Sequence, residues 1–242
     1  MHLKTIALIG VHDKREFSDM LRLIFEKAGK KAALAGSDKT TNAYTVYKSL
    51  KDMVDDGVEY GFIETAPQDF QMGHLDGIVF DAALIMAISP GIVSKPDTDA
   101  SLRCPGCSYS HCFECSRQIF GQAVICYVNR DEELFNAFIE DVPDELIRVY
   151  GFSKENGGLE TNSDSLALDY RARDVKRENV GGILSVEFVC AAPYWRRRFH
   201  IGIPGRQTAE YALGAICIAD HFGINPGIIA AGLAQTPFGE ID

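Results

Sequence analysis

Short runs of uninterrupted apolar residues alternate along this chain with stretches of helical periodicity, and that alternation leaves few folds open. "TIALIGV" (5–11) offers apolar side chains to both faces, so as a strand it must be covered on both sides, the condition of a buried parallel sheet. "FSDMLRLIFEKAG" (17–29) follows, with Phe17, Met20, Leu21, Ile24 and Phe25 on one helical face and Gly29 as a C-terminal stop. "KAALAG" (31–36), "YGFIET" (60–65), "DAALIMAIS" (81–89), "AVICYVN" (123–129) and "LIRVYGF" (146–152) are predicted as further strands, and "AYTVYKSLKDMVDDG" (43–57) as a second helix. The pattern predicts an α/β fold with a mostly parallel sheet and helices on both faces.

Between Phe152 and His200 the character changes. "GGILSVEFVCAAPYWRRRFHIGIPG" alternates and is rich in β-formers, which predicts antiparallel hairpins at the sheet edge. Two helices close the chain, at 208–223 and at 225–235, the second with Pro226 in its first turn. Residues 89–112 are dense in Pro, Gly, Ser and Cys and are predicted to be irregular. A chain of 242 residues suits one large domain or two small ones. Its formal net charge of −10 disfavours a role on nucleic-acid backbones, where basic patches supply the affinity. No apolar run is long enough for a membrane span, and "MHLKTIALIGV" is too brief for a signal peptide. The expected location is cytoplasmic, where seven cysteines serve as thiols or metal ligands rather than disulfides.

Four of those cysteines cluster as C-x2-C-x4-C-x2-C: Cys104, Cys107, Cys112 and Cys115. Pairs two residues apart can place two thiolates on one soft metal, and "CPGC" is similar to a zinc knuckle. "CFEC" at i, i+3 of a possible helix turns both sulfurs one way, and His111 is a spare ligand. Structural zinc, an iron–sulfur cluster and a metal-free loop are the readings left open. Cys126, Cys190 and Cys217 lie in apolar runs and read as core. "YWRRRFH" (194–200) reads as a solvated hairpin face, with an anion-binding strip as the competing reading.

The order of these pieces resembles the central, ATP-binding domain of the Mur ligases, above all UDP-N-acetylmuramyl-tripeptide synthetase. The family's "GTNGKTT", helix and "AGKKVGLIGT" match Gly10 to Lys14 and "AGKKAALAGS" (28–37) without a gap. Its "TTPE" matches "TTNA" (40–43), and "DGIVFDAAL" (76–84) carries its "VDGIxFDVAV". Its "VVNADD" matches "CYVNRDE" (126–132), its "YG" Tyr150–Gly151, and its "LPGRFNVYNALAA" the "IPGRQTAEYALGA" of 203–215. The resemblance implies a P-loop-type sheet in one central domain over residues 1–242, with a Cys-rich insert at about 89–116. The N-terminal UDP-sugar domain and the C-terminal ligase domain that flank it in the family are expected to be absent. In the family, this domain uses ATP and magnesium to activate a carboxylate as an acyl phosphate that an amino acid attacks.

Position by position, the resemblance implies a vestigial nucleotide and magnesium site at Gly10, Lys14, Glu64, Asn129 and Asp131, with Thr40 and Thr41 facing the sugar substrate. The glycine before the lysine is Asp13, and the two threonines after it are Arg15 and Glu16. A phosphate loop needs glycines so that backbone N–H groups can converge, and a Ser/Thr hydroxyl for magnesium. Each added carboxylate a few ångströms from a triphosphate costs on the order of 1–4 kcal/mol in a partly solvated site. The family's metal-site histidine falls on Gln68, its "NLSRDH" asparagine and histidine on Ala87 and Ile92, and its carbamylated lysine on Ser116. ATP and magnesium are therefore not expected as cofactors. The expected function is a degenerate binding or regulatory module tied to peptidoglycan precursor synthesis, without ligase activity. Its partner would be another cell-wall synthesis protein or a UDP-MurNAc-type ligand. The alternatives are an ATP-dependent carboxylate–amine ligase subunit completed by a partner chain, and a zinc- or redox-responsive scaffold.

Overall fold

The computed structural model describes residues 2–10, 14–35, 42–86, 109–132, 134–152, 168–180, 183–202 and 206–235, with the backbone alone at 14–16, 109–112, 178–180, 183–184 and 206–207. Two compact units emerge. The first comprises residues 1–14, 31–128 and 132–147, the second residues 15–30, 129–131 and 148–242.

The first unit is built on β1 (Lys4–Ile9), followed in the chain by helix α1 (Lys14–Lys27), then β2 (Ala32–Ala35), α2 (Ala43–Asp55), β3 (Tyr60–Thr65), α3 (Pro67–Gln71), β4 (Ala82–Ile85), α4 (Tyr109–Arg117), β5 (Cys126–Asn129) and α5 (Phe135–Ile139). Its strands lie in the order β2-β3-β1-β4-β5. The four pairings are parallel. β1 and β4 are fully buried over Ile6–Ile9 and Ala82–Ile85, as their unbroken apolar sequence requires. Lys4 donates to Asp81 at 2.7 Å, and the Thr5 N–H donates to the same carboxylate at 2.9 Å, which fixes the start of β4 against β1. Burial works to raise the Asp81 carboxyl, but these two donors prevail and hold it below the ordinary carboxylate value.

The second unit carries α1 from Arg15 onward, β6 (Ile147–Phe152), β7 (Tyr170–Val180), β8 (Ile183–Ala191), β9 (Arg196–Ile201), α6 (Arg206–His221) and α7 (Pro226–Leu233). β7, β8 and β9 form the expected antiparallel hairpins. β6 pairs with β7 in parallel, a crossover the alternation alone did not reveal. β7 bulges between Arg173 and Lys176, with Asp174 at φ +55°. The apolar face of α1 is buried at Phe17, Met20, Leu21, Ile24 and Phe25, and Phe17 and Phe25 meet Tyr211 and Phe222 edge-on. Gly232 of α7 lies against the α1 backbone: a methyl group there would sit 2.7 Å from the Ile24 Cα.

Most element boundaries differ from the sequence reading by a few residues. The strand predicted from Ala123 begins at Cys126, because Ala123 makes only an isolated bridge to Phe80 and Val124 is exposed. The segment predicted irregular ends in α4, which starts at Tyr109. No described helix is long and apolar enough to cross a membrane.

Candidate functional site

In the strand order of the first unit, the chain leaves β1 toward β2 on one side, and the strand after β3 lies on the other side of β1. Such a reversal opens a crevice at the carboxyl ends of the strands, where open α/β sheets bind ligands. Gly10 follows the last residue of β1 and is buried. Glu64 pairs in register with Leu8, and Thr65 with Ile9, so Gly10 and Glu64 share this carboxyl edge on neighbouring strands. The Thr65 hydroxyl is not directed at the crevice; it donates to the Leu8 carbonyl at 3.3 Å within the sheet. Lys14 begins α1.

The chain beyond Glu64 is held by a residue the sequence reading passed over. Asp69 is 2% exposed. Its carboxylate accepts from the Ala66 N–H at 2.7 Å and lies 3.1 Å from His74 Nδ1. The turn that carries Gln68 is thereby locked into α3, with Pro67 at its first position. The signal was present as a proline followed two residues later by an acid at a strand's end, half of a helix-start pattern. As a magnesium site this edge offers Glu64 and the amide of Gln68, both part-exposed. Among the described residues, that pair brings less oxygen charge than a hard cation needs.

Asn129 and Asp131 have structural partners in the second unit. The Asn129 Oδ1 accepts from the Asp131 N–H at 3.0 Å, and the Asp131 Oδ2 accepts from the Phe152 N–H at 2.6 Å. Arg130 donates to the Phe152 carbonyl at 2.9 Å. Gly151 is what lets the carboxylate in: a methyl group there would stand 3.0 Å from Asp131 Oδ2. The two sequence matches "NRD" and "YG" are thus the two halves of one turn-to-strand clasp.

Ser116 lies in α4 and is 2% exposed; Cys115 beside it is a buried thiol. The Cys112 backbone is in the same helix, as the spacing of "CFEC" suggested. Cys104, Cys107, Thr40 and Thr41 lie outside the described residues. Among the described residues, no three His, Cys, Asp or Glu side chains gather as a metal site. Cys126, Cys190 and Cys217 are core thiols, as read from sequence. Burial pushes Cys126 up to about 12, and it raises Cys190 and Cys217 as well. In "YWRRRFH", Trp195 donates its indole N–H to Asp220 at 2.7 Å, and Tyr170 donates to the same carboxylate at 2.7 Å. Phe199 is buried against Phe188, while Arg196, Arg197 and Arg198 are exposed.

Residues 17–91 match the Mur ligase middle domain. A UDP-N-acetylmuramoyl-L-alanyl-D-glutamate–2,6-diaminopimelate ligase of Clostridium tetani is 22% identical over 96% of this chain and 45% of its own length. The enzyme of that name from Clostridium botulinum is 25% identical over 89% of this chain and 42% of its own. Among solved structures, that of a UDP-N-acetylmuramoyl-L-alanyl-D-glutamate–2,6-diaminopimelate ligase superposes with a TM-score of 0.78 at 15% identity, covering 97% of this chain and 46% of that one. A pseudomurein peptide ligase type C from Methanothermus fervidus gives 0.67 at 13% identity over 96% of this chain and 49% of its own. The chain spans about half the length of the curated relatives it matches.

Proposed function

This chain is a relative of the Mur ligases, and from that kinship we propose that it is a degenerate central domain: a cytoplasmic binding or regulatory module of peptidoglycan precursor synthesis that does not itself join an amino acid to a precursor. The observation that carries this reading is Ser116. At the position of the family's carbamylated lysine stands a short side chain, 2% exposed in α4, that cannot extend a charged group toward a metal. The sequence of the phosphate loop supports it, with Asp13, Arg15 and Glu16 replacing a glycine and two threonines. Two acidic groups beside a triphosphate oppose its binding by several kcal/mol, of order 1–4 for each. Gln68, Ala87 and Ile92 remove further polar or metal-binding groups of the family.

A second reading, a ligase subunit whose missing groups come from a partner chain, is favoured by Glu64 and Gly10, which lie at the carboxyl edge of β3 and β1. The experiment that separates the two incubates the purified chain with radiolabelled Mg-ATP, a UDP-MurNAc-dipeptide and diaminopimelate. The module reading expects the UDP-MurNAc-dipeptide to bind in equilibrium dialysis, with no phosphate release and no elongated peptide. Turnover that disappears in Lys14→Ala would overturn it. Zinc held by Cys104, Cys107, Cys112 and Cys115 is a separate proposal. It expects one zinc per chain after purification without added metal, lost in Cys104→Ser.

A further inference from the structure

The antiparallel part of the second unit collects positive charge on one face, although the chain as a whole carries −10. Register settles which residues share that face. Arg171 lies opposite Ala191, and Ala191 opposite Arg196. In the next same-face row Arg173 lies opposite Val189, and Val189 opposite Arg198. After the bulge, Lys176 lies opposite Glu187, and Glu187 opposite His200. The alternate residues Ala172, Phe188, Cys190, Phe199 and Ile201 are buried on the opposite face. Arg171, Lys176, Arg196 and Arg198 are exposed. Val189 is buried between Arg173 and Arg198, as expected where long cationic side chains lie along an apolar one.

The charge on this face is little neutralised from within. Among the described residues, its ion pair is Arg198 with Glu187. Asp169, at the mouth of β7, spends one carboxylate oxygen on the Val149 N–H at 2.7 Å. At the Arg171–Arg173 end lies a groove of about 360 Å3 lined by Asp169, Arg171, Arg173, Ala191 and Pro193. Arg173 is half-buried, and its Nε has no hydrogen-bond partner. Two guanidinium groups side by side can offer an anion in the groove forked, charge-assisted hydrogen bonds.

We propose that this groove, with Arg171 and Arg173 as its principal contacts and Arg196 at its rim, is a binding site for a compact polyanion bearing phosphate or carboxylate groups. It lies within the second unit and stands whether or not the β1–β3 carboxyl edge of the first binds nucleotide. Phosphate and carboxylate present the same paired oxygens to an arginine fork, so pyrophosphate and citrate are the probes that tell the two apart. The test is isothermal titration of the full chain with each in low-salt buffer. The expected result is saturable one-to-one binding of at least one probe, weakened about tenfold or more by Arg173→Gln and by Arg171→Gln, as loss of a charge-assisted hydrogen bond dictates. Melting temperatures are to be matched, and the exposed Arg171→Gln decides should Arg173→Gln fail to fold. Lys51→Gln, which removes an exposed lysine from α2, and Lys14→Ala are expected to leave the affinity unchanged. Binding of neither probe, or binding indifferent to both arginine variants, overturns the proposal. Binding lost in Lys14→Ala instead overturns it too, and counts separately against the degenerate phosphate loop.

Discussion

Gly232 illustrates how little freedom single residues have in the second unit. A side chain there would strike the Ile24 Cα at 2.7 Å, and backbone cannot step aside as the tip of a flexible side chain can. Gly232→Ala is therefore expected to cost about 1–3 kcal/mol in urea denaturation, the usual penalty of overpacking. Cys126 gives a prediction in pH. Its thiol is raised from 9.0 to about 12 in the folded chain, so above pH 9 the unfolded chain releases a proton that the folded chain retains. Stability is fully present below pH 9 and is lost as pH rises toward 12, at up to about 1.4 kcal/mol per pH unit for this thiol. The difference between the wild-type and Cys126→Ala stability curves over that range isolates the thiol's share. Core cysteines were legible in sequence because they sit in apolar runs. The bond between Asp131 and Phe152 was not: Asn129 meets the Asp131 N–H two residues on, whereas Asp131 meets an N–H on a strand 21 residues further along the chain.

At the scale of elements, α2 shows what local sequence can specify. Asn42 accepts from the Thr45 N–H at 3.1 Å, and Thr45 Oγ1 accepts from the Asn42 N–H at 2.9 Å, closing the helix start from both sides. Asn42→Ala is expected to lower stability by about 1 kcal/mol, read as a shifted denaturation midpoint with an unchanged slope. Helices and buried strands were readable because their signals are local: apolar spacing, a glycine after the last turn, a proline in the first. The parallel pairing of β6 with β7 was not readable, since nothing in either strand names its neighbour. The basic run of β9 was readable as exposed. Its alignment across β8 with Arg171 and Arg173 needed the register, and a bulge after Arg173 shifts that register by one residue.

For the molecule as a whole, the β2-β3-β1-β4-β5 order of the first unit sets Gly10 and Glu64 at the carboxyl ends of neighbouring strands. A sheet fixes where a site lies, whereas the side chains around it fix what it does. The measurement that tests the account most directly is the melting temperature of the chain with and without Mg-ATP, alongside a variant restoring Asp13→Gly, Arg15→Thr and Glu16→Thr. A working site, with ligand at 100 times its dissociation constant, adds about 2.7 kcal/mol. The account predicts no shift for the natural chain. A saturable rise in melting temperature, abolished by Lys14→Ala, would contradict it.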